Sequence, residues 1–329
     1  MSAESVRFAL MGCGRISLVH LECLRRHPRA ELVGVADVDG QAARDVAEAW
    51  GAEAFDDPQK MLETVQPDAV LLCTPPDSHR DLAIAALESG SHVLCEKPLT
   101  VSEDAAREMH EAADRAGRTL VMASKFRFVD DMITARAFVR SGNLGEILAL
   151  DNEFTSFVDM KDRWNSDRAV AGGGVLIDNG THSADIVRYL LGPVVGVHAV
   201  EGRRWQPLQV EDSCTMLCRV ESGTTASIDL SWSIQKLNPW YVSIYGTEGV
   251  LQIGWKESRF RQTAKAEWAK LGSGYDKFQA VGSQLDNFIE TIEGRAESLI
   301  GFDAALASIR VVDAAYRSLE RGQWEPVRS

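Results

Sequence analysis

"SVRFALMGCGRIS", residues 5–17, sets a short apolar run against glycines at 12 and 14 and then opens an amphipathic stretch that reaches His27. A run of that length suits one strand, and a strand that ends in Gly-x-Gly and hands the chain to a helix begins a βαβ unit. Outward from it the cycle repeats. ELVGVAD (31–37) reads as the second strand, followed by a helix at 40–50, the apolar run AVLLCTPP (69–76) and a helix at 77–90. HVLCEKP (92–98), a helix at 101–117 and TLVMAS (119–124) complete the series. Strands alternating with helices predict parallel pairing, so residues 1–124 are expected to form a doubly wound, Rossmann-type α/β domain.

Past about residue 146 the period changes. GTTASIDLSWSI (223–234) alternates strictly, with Ala226, Ile228, Leu230, Trp232 and Ile234 on one face and Thr225, Ser227, Asp229, Ser231 and Ser233 on the other. SCTMLCRV (213–220) and PWYVSIYG (239–246) flank it, and these runs predict neighbouring antiparallel strands. EILALDNEFTSF (146–157) starts the same sheet, and helical patterns return near 275–293 and 302–320. Residues 125–329 are therefore expected to form an α+β domain with an open, mostly antiparallel sheet, the last helix packing back on the first domain. The two-faced strands leave a surface for a homodimer or homotetramer.

The length of 329 residues suits two domains, and 45% apolar with 25% charged residues is ordinary for a globular chain. A net charge of −13 argues against nucleic acid or an anionic membrane as partner. No apolar stretch approaches the ~18 residues of a membrane span. MSAESVRFALMGCG has no long apolar core and no small-residue cleavage site, so no secretory leader is expected. The cysteines (13, 23, 73, 95, 214, 218) form no close CxxC. Cys214 and Cys218 would stand ~13 Å apart along one strand face, too far to share a metal or a disulfide. Buried thiols, a reducing cytoplasm and no metal are the expectation.

Gly12 and Gly14 allow a backbone to approach a pyrophosphate, and the helix behind them offers unpaired N–H groups to it. Asp37 ends the second strand, 23 residues beyond Gly14, where a carboxylate accepts from a ribose hydroxyl. Ser17 stands in the third glycine's place and is small enough for close packing. Thr74 and Pro75, with His79 one turn on, follow the third apolar strand, and Glu96-Lys97-Pro98 follows the next. Open α/β sheets bind ligands at these carboxyl ends. Lys97 in isolation reads as a solvated loop lysine. Its place beside a nicotinamide site makes it a candidate for chemistry.

GGGVLIDNGTHSADIVRYLLG (172–192) places Asp178 and His182 at i and i+4 on a helix, ~5–6 Å apart at Cβ. Asp185 continues the stripe. Three readings stand: a satisfied helix histidine, a metal site that lacks a third ligand at a supporting spacing, or an acid–base pair with an imidazole tuned by its carboxylate. In the last, the glycines let backbone pass close to a ligand.

Taken together, GCGRIS, Asp37, TPPDSH, EKP and GGGVLIDNGTHSAD resemble the glucose–fructose oxidoreductase / inositol dehydrogenase (Gfo/Idh/MocA) family over essentially the whole chain. The resemblance implies a Rossmann domain joined to an α/β domain on an open sheet. It matches Lys97, Asp178 and His182 to a catalytic trio, and Gly12, Gly14, Arg15, Ile16, Asp37, Thr74, Pro75, His79 and Glu96 to cofactor contacts. Lys125, in SKFRF (124–128), departs from the Asn of many relatives. The expected activity is an NAD-dependent dehydrogenase acting on a secondary hydroxyl of a sugar, sugar derivative or cyclitol. His182 would be the general base, Asp178 would steady its charged form, and Lys97 would bind the same oxygen. Lys125, Arg163 and Trp164 are candidate substrate contacts. Two cations facing the substrate suit an anionic sugar, whereas Lys125 paired with an acid or the cofactor does not. The alternatives are an NAD-dependent glycosidase that oxidises its sugar transiently, and a sensor without catalysis.

Overall fold

The computed structural model describes residues 5–263 and 266–328. The chain divides into two compact units, Met1–Lys125 with Val281–Leu306, and Phe126–Ala280 with Ala307–Ser329.

In the first unit β1 (Val6–Met11) leads through the glycine turn to α1 (Ser17–Arg26), then β2 (Ala30–Ala36) and α2 (Gly40–Trp50). A short pair, β3 (Glu53–Phe55) and α3 (Pro58–Val65), precedes β4 (Ala69–Leu72) and α4 (His79–Glu88). β5 (His92–Glu96), α5 (Glu103–Ala116) and β6 (Leu120–Ala123) follow. The β3–α3 pair is absent from the sequence reading, because three strand residues are too few to show an alternation. Its one local signal is Asp57-Pro58, a side-chain cap followed by proline in the helix's first turn. All six strands are parallel, in the order β3-β2-β1-β4-β5-β6. Order reverses between β1 and β4, so a crevice for a ligand opens at their carboxyl ends. The sheet interior is apolar through Phe8, Leu10, Leu71, Val93 and Leu94.

The second unit begins with α6 (Asp130–Arg140) and β7 (Ile147–Thr155), then α7 (Arg168–Ala171) and α8 (Val175–Leu191). A run of strands follows: β8 (Val194–Glu201), β9 (Ser213–Val220), β10 (Thr225–Ser231), β11 (Trp240–Gly246), β12 (Val250–Gly254), β13 (Ser258–Arg261) and β14 (Ala269–Gly272). α9 (Lys277–Ile292) passes at Val281 into the segment that belongs to the first unit, α10 (Phe302–Arg321) returns to the second at Ala307, and β15 (Glu325–Pro326) follows. The sheet runs β14-β13-β12-β11-β7-β10-β9-β8-β15.

One expectation is corrected here. β9 and β10 form the antiparallel pair read from their alternation, but β11 is not the neighbour of β10. β7 lies between them, parallel to β10 and antiparallel to β11. The chain from 232 to 239 is long enough to carry β11 past that intervening strand, whereas a tight hairpin would have forced direct pairing. The inner face packs Cys214, Met216, Ala226, Ile228, Leu230 and Val242 under α8, which rests on β7, β9 and β10. Buried on nearly every side, α8 nevertheless carries Thr181, His182, Ser183 and Asp185 among its buried residues, and such groups need partners.

Candidate active site

In the first unit the cofactor candidates gather at one edge of one sheet, because each follows the carboxyl end of a parallel strand. Gly12 has φ +95°, and a Cβ there would stand 2.7 Å from the Cys73 carbonyl carbon. The glycine is required by the chain's own crossing from β1 past the end of β4. Gly14 differs: a Cβ on it would meet nothing within 4 Å, so its open side is the one a ligand can approach. Arg15 is exposed and Ile16 half-buried at the start of α1, whose N-terminus has no side-chain cap. Ser17, fully buried, bonds through Oγ to the Gly14 carbonyl at 2.7 Å and so closes the turn. Asp37 holds the same turn from β2: its carboxylate accepts from the Cys13 N–H at 2.6 Å and the Asp39 N–H at 2.8 Å. Burial and Asp37 push the Cys13 thiol up to about 12. These features fit a dinucleotide, with free N–H groups for phosphate and a carboxylate at the ribose position.

His79 serves as a strut behind the cofactor edge. It is fully buried, with Nε2 2.8 Å from the Thr74 carbonyl and Nδ1 3.0 Å from that of Pro98. It fixes the Thr74-Pro75 turn to the chain behind Lys97. Burial pulls its pKa down, against the carbonyls and Glu96, which raise it. Thr74 and Pro75 themselves stay half-buried at the edge.

Glu96, Lys97 and Lys125 come together at the ends of β5 and β6. Glu96 pairs through Oε1 with Nε2 of His20 at 2.8 Å, and Oε2 accepts the Lys97 N–H at 3.1 Å. Burial alone would raise the Glu96 carboxyl. The His20 bond and the charges of His20, Lys125 and Lys97 outweigh it and bring the pKa to about 2. The Lys125 charge thus reaches Glu96 within the same unit. His20 escaped the sequence reading, since an imidazole on the inner face of an amphipathic helix looks like core. The Lys97–Pro98 peptide bond is cis, and Lys97 is half-buried.

In the second unit Asp178 is half-buried and His182 is 7% exposed, one turn apart on α8. The His182 ring meets Phe126 edge-on, with centroids 5.0 Å apart, and Phe154 likewise at 6.5 Å. Aromatic walls keep water from an imidazole, which suits a group that exchanges a proton with substrate. Asp185, next on the stripe, is structural: fully buried, it takes the Arg127 guanidinium at 2.6 and 2.9 Å. Such a bidentate pair holds α8 to the Lys125–Phe128 turn. Arg163 is half-buried, and Trp164 is 44% exposed at the start of a short 3-10 turn. The glycines before α8 serve packing as well. A Cβ on Gly173 would land on the Tyr316 hydroxyl, and one on Gly174 on the Glu211 carbonyl oxygen. The chain's own close contacts thus require glycine at both positions, apart from any approach of a ligand.

Among the described residues no three His, Cys, Asp or Glu side chains gather as a metal site, and no helix is long and apolar enough to cross a membrane. The six cysteines are free thiols, and burial raises those of Cys214 and Cys218 to about 12.

Comparison with known proteins agrees with this architecture. Residues 6–124 match the oxidoreductase family with an NAD-binding Rossmann fold, and residues 132–252 match the GFO/IDH/MocA C-terminal domain. The D-glucoside 3-dehydrogenase of Escherichia coli (strain K12) is 34% identical over 65% of this chain and 62% of its own length. The inositol 2-dehydrogenase of Rhizobium meliloti is 26% identical over 96% of this chain and 97% of its own. The crystal structure of the WlbA dehydrogenase from Bordetella pertussis, in complex with NADH and UDP-GlcNAcA, superposes with a TM-score of 0.86 at 25% identity, covering 100% of this chain and 99% of that one. With its glycine turn, its Asp37 and its Asp178–His182 helix in both matched segments, the chain belongs to the GFO/IDH/MocA family of NAD-binding oxidoreductases.

Proposed function

We propose that this dehydrogenase oxidises a secondary ring hydroxyl of a sugar, sugar derivative or cyclitol, with Lys97, Asp178 and His182 as its catalytic groups. The observation that carries the reading is the Asp178–His182 pair, a carboxylate one turn before an aromatic-walled imidazole on a largely buried helix. Bound NAD would supply the acceptor for the hydride of the carbinol carbon. His182 removes the hydroxyl proton, which must leave as the carbon is oxidised. Asp178 stabilises the imidazolium that results. Lys97 donates to the same oxygen and offsets its developing charge. Gly14, the uncapped start of α1, Arg15, Ile16, Thr74, Pro75 and Glu96 hold the dinucleotide, with Asp37 on the adenosine ribose. Lys125, Arg163 and Trp164 border the substrate.

The names of the relatives support a cyclic polyol: a glucoside, an inositol and a nucleotide-linked uronate are all ring alcohols. A cytoplasmic location accords with the free thiols. The outer face of the second sheet, with Val200 and Leu217 exposed among short polar side chains, is proposed as the surface of a homodimer or homotetramer.

The test follows NADH absorbance with methyl glucosides, levoglucosan, inositols and a UDP-linked uronate, alongside aryl-glycoside cleavage. Net NADH formation with a free polyol is expected. Cleavage without net NADH would instead establish the glycosidase chemistry. Lys97→Ala is expected to lower kcat by ~10²–10⁴ while leaving NAD affinity nearly intact. Wild-type turnover by that variant would remove Lys97 from the mechanism.

A further inference from the structure

The start of α8 is held by a residue far away in sequence. Glu211, on the chain entering β9, is 5% exposed. Its Oε1 accepts from the N–H of Gly174 at 2.9 Å and of Leu176 at 3.1 Å, and from the Tyr316 hydroxyl at 2.8 Å. Its carbonyl oxygen accepts from the Val175 N–H at 2.9 Å. Three successive N–H groups of the helix therefore end on one residue, and Gly174 at the N-cap brings no side chain of its own. A carboxylate is the favoured group at this end of a helix dipole. The glycines permit the seat, since a side chain on Gly173 or Gly174 would collide with Tyr316 or with Glu211.

The seat itself is immobilised. Asp212, fully buried beside Glu211, accepts from the N–H groups of Trp205 and Gln206 at 2.8 Å each and from Ser233 Oγ at 2.6 Å. Burial and the Glu211 charge raise the Tyr316 pKa, so its hydroxyl remains a donor. A helix is a stiff rod rising ~1.5 Å per residue, which puts Asp178 ~6 Å and His182 ~12 Å from Gly174. Displacement of the first turn moves both.

We infer that Glu211 is a positioning residue for Asp178 and His182, acting through the first turn of α8 with Tyr316 as its brace. The kinetic part of the inference rests on the catalytic reading of that pair; the structural part does not. Reaching across 37 residues to Gly174, Glu211 contributes geometry rather than a proton.

Two readouts test it. With the fastest polyol of the panel above, Glu211→Ala is expected to lower kcat by about 10²-fold with KM for NAD unchanged, the scale of an ångström-sized misplacement. Glu211→Gln keeps an oxygen for the N–H groups and should recover most of that loss; Glu211→Asp, one methylene short, should not. Independently, protein labelled at the histidine ring carbons reports the position of His182, whose resonance is shifted by the Phe126 ring. His182→Ala assigns that resonance. It should move in Glu211→Ala and in Tyr316→Phe while the His110 resonance stays in place. A folded Glu211→Ala with wild-type kcat and an unmoved His182 resonance overturns the inference. Should Glu211→Ala not fold, Tyr316→Phe decides alone, because it removes one hydroxyl and almost no volume; an unmoved resonance there overturns it equally. Full turnover by His182→Ala would instead sink the catalytic reading, leaving the resonance to judge the positioning.

Discussion

Asp37 has two tasks that the sequence presents as one. Its oxygens already take the N–H groups of Cys13 and Asp39, so it builds the glycine turn in addition to its proposed place on a ribose. A carboxylate has about four acceptor positions, which leaves room for ribose hydroxyls. NADP would replace one hydroxyl donor with an anion. The lost bond to a charged acceptor is worth ~1.5–3 kcal/mol. With part of the like-charge repulsion added, at least ~3 kcal/mol and a preference above ~100-fold for NAD are expected. Arg44, bonded to Gln41 at 3.0 Å and folded toward Gly40, is the cation that would receive a phosphate. Steady-state kcat/KM with each cofactor measures the preference, and equal use of both would refute the ribose role. Asp37→Ser should narrow the gap. It should also weaken NAD, because serine cannot hold both N–H groups of the turn.

At the scale of the element, the two glycines between β1 and α1 separate folding from binding. Gly12→Ala forces a side chain into φ +95° and against the Cys73-Thr74 backbone. It should cost at least ~2 kcal/mol and lower Tm by ~4 °C or more. Gly14→Ala meets only open space, so Tm should hold while NAD binding weakens by about tenfold, ~1.4 kcal/mol. Thermal melts beside NAD titrations distinguish the two, and identical behaviour would contradict the division. β5 carries a pH dependence of its own. The His92 Nδ1 accepts the Thr119 N–H at 2.9 Å, tying β5 to β6, and burial, then Arg118, lowers the His92 pKa to about 4. The folded state thus binds fewer protons than the unfolded one between about 6.5 and 4. The stability that neutral His92 provides is complete above that window and is lost as pH falls through it. Urea midpoints at pH ~7 and pH ~4.5 should therefore differ less in His92→Asn than in the wild type. An equal drop in both would exclude this residue as the source.

For the whole molecule, the second sheet raises the question of assembly. Alternation puts Thr215, Leu217 and Arg219 of β9, with Thr225, Ser227 and Asp229 of β10, on the outer face. Apart from Arg219, the side chains around exposed Leu217 are short, which allows close apposition of a second sheet. Leu217 and Ser227 are cross-strand partners, so charging both sets like charges at the centre of a self-complementary contact. Sedimentation of the wild type should show a dimer or tetramer, and Leu217→Arg with Ser227→Arg should shift it to monomer. A monomeric wild type at micromolar concentration would end the proposal.

Short-range properties of the chain were legible without any structure. The strand–glycine–helix cycle around Gly12, the alternation at 213–231 and the i, i+4 pairing of Asp178 with His182 are each written within a few residues, because side-chain direction repeats every 2 or 3.6 positions. From them came the parallel first sheet, the β9–β10 pair and the family resemblance. The partners of those elements were decided by tertiary structure alone. β7 enters between β10 and β11, His20 meets Glu96 across 76 residues, and Tyr316 reaches Glu211 across 105. The entropy of closing such loops varies only slowly with their length, so no local pattern distinguishes one distant partner from another. Burial does: an acid such as Glu211 or Glu96 can enter the interior only where donors converge on it, and that convergence exists only in the folded chain.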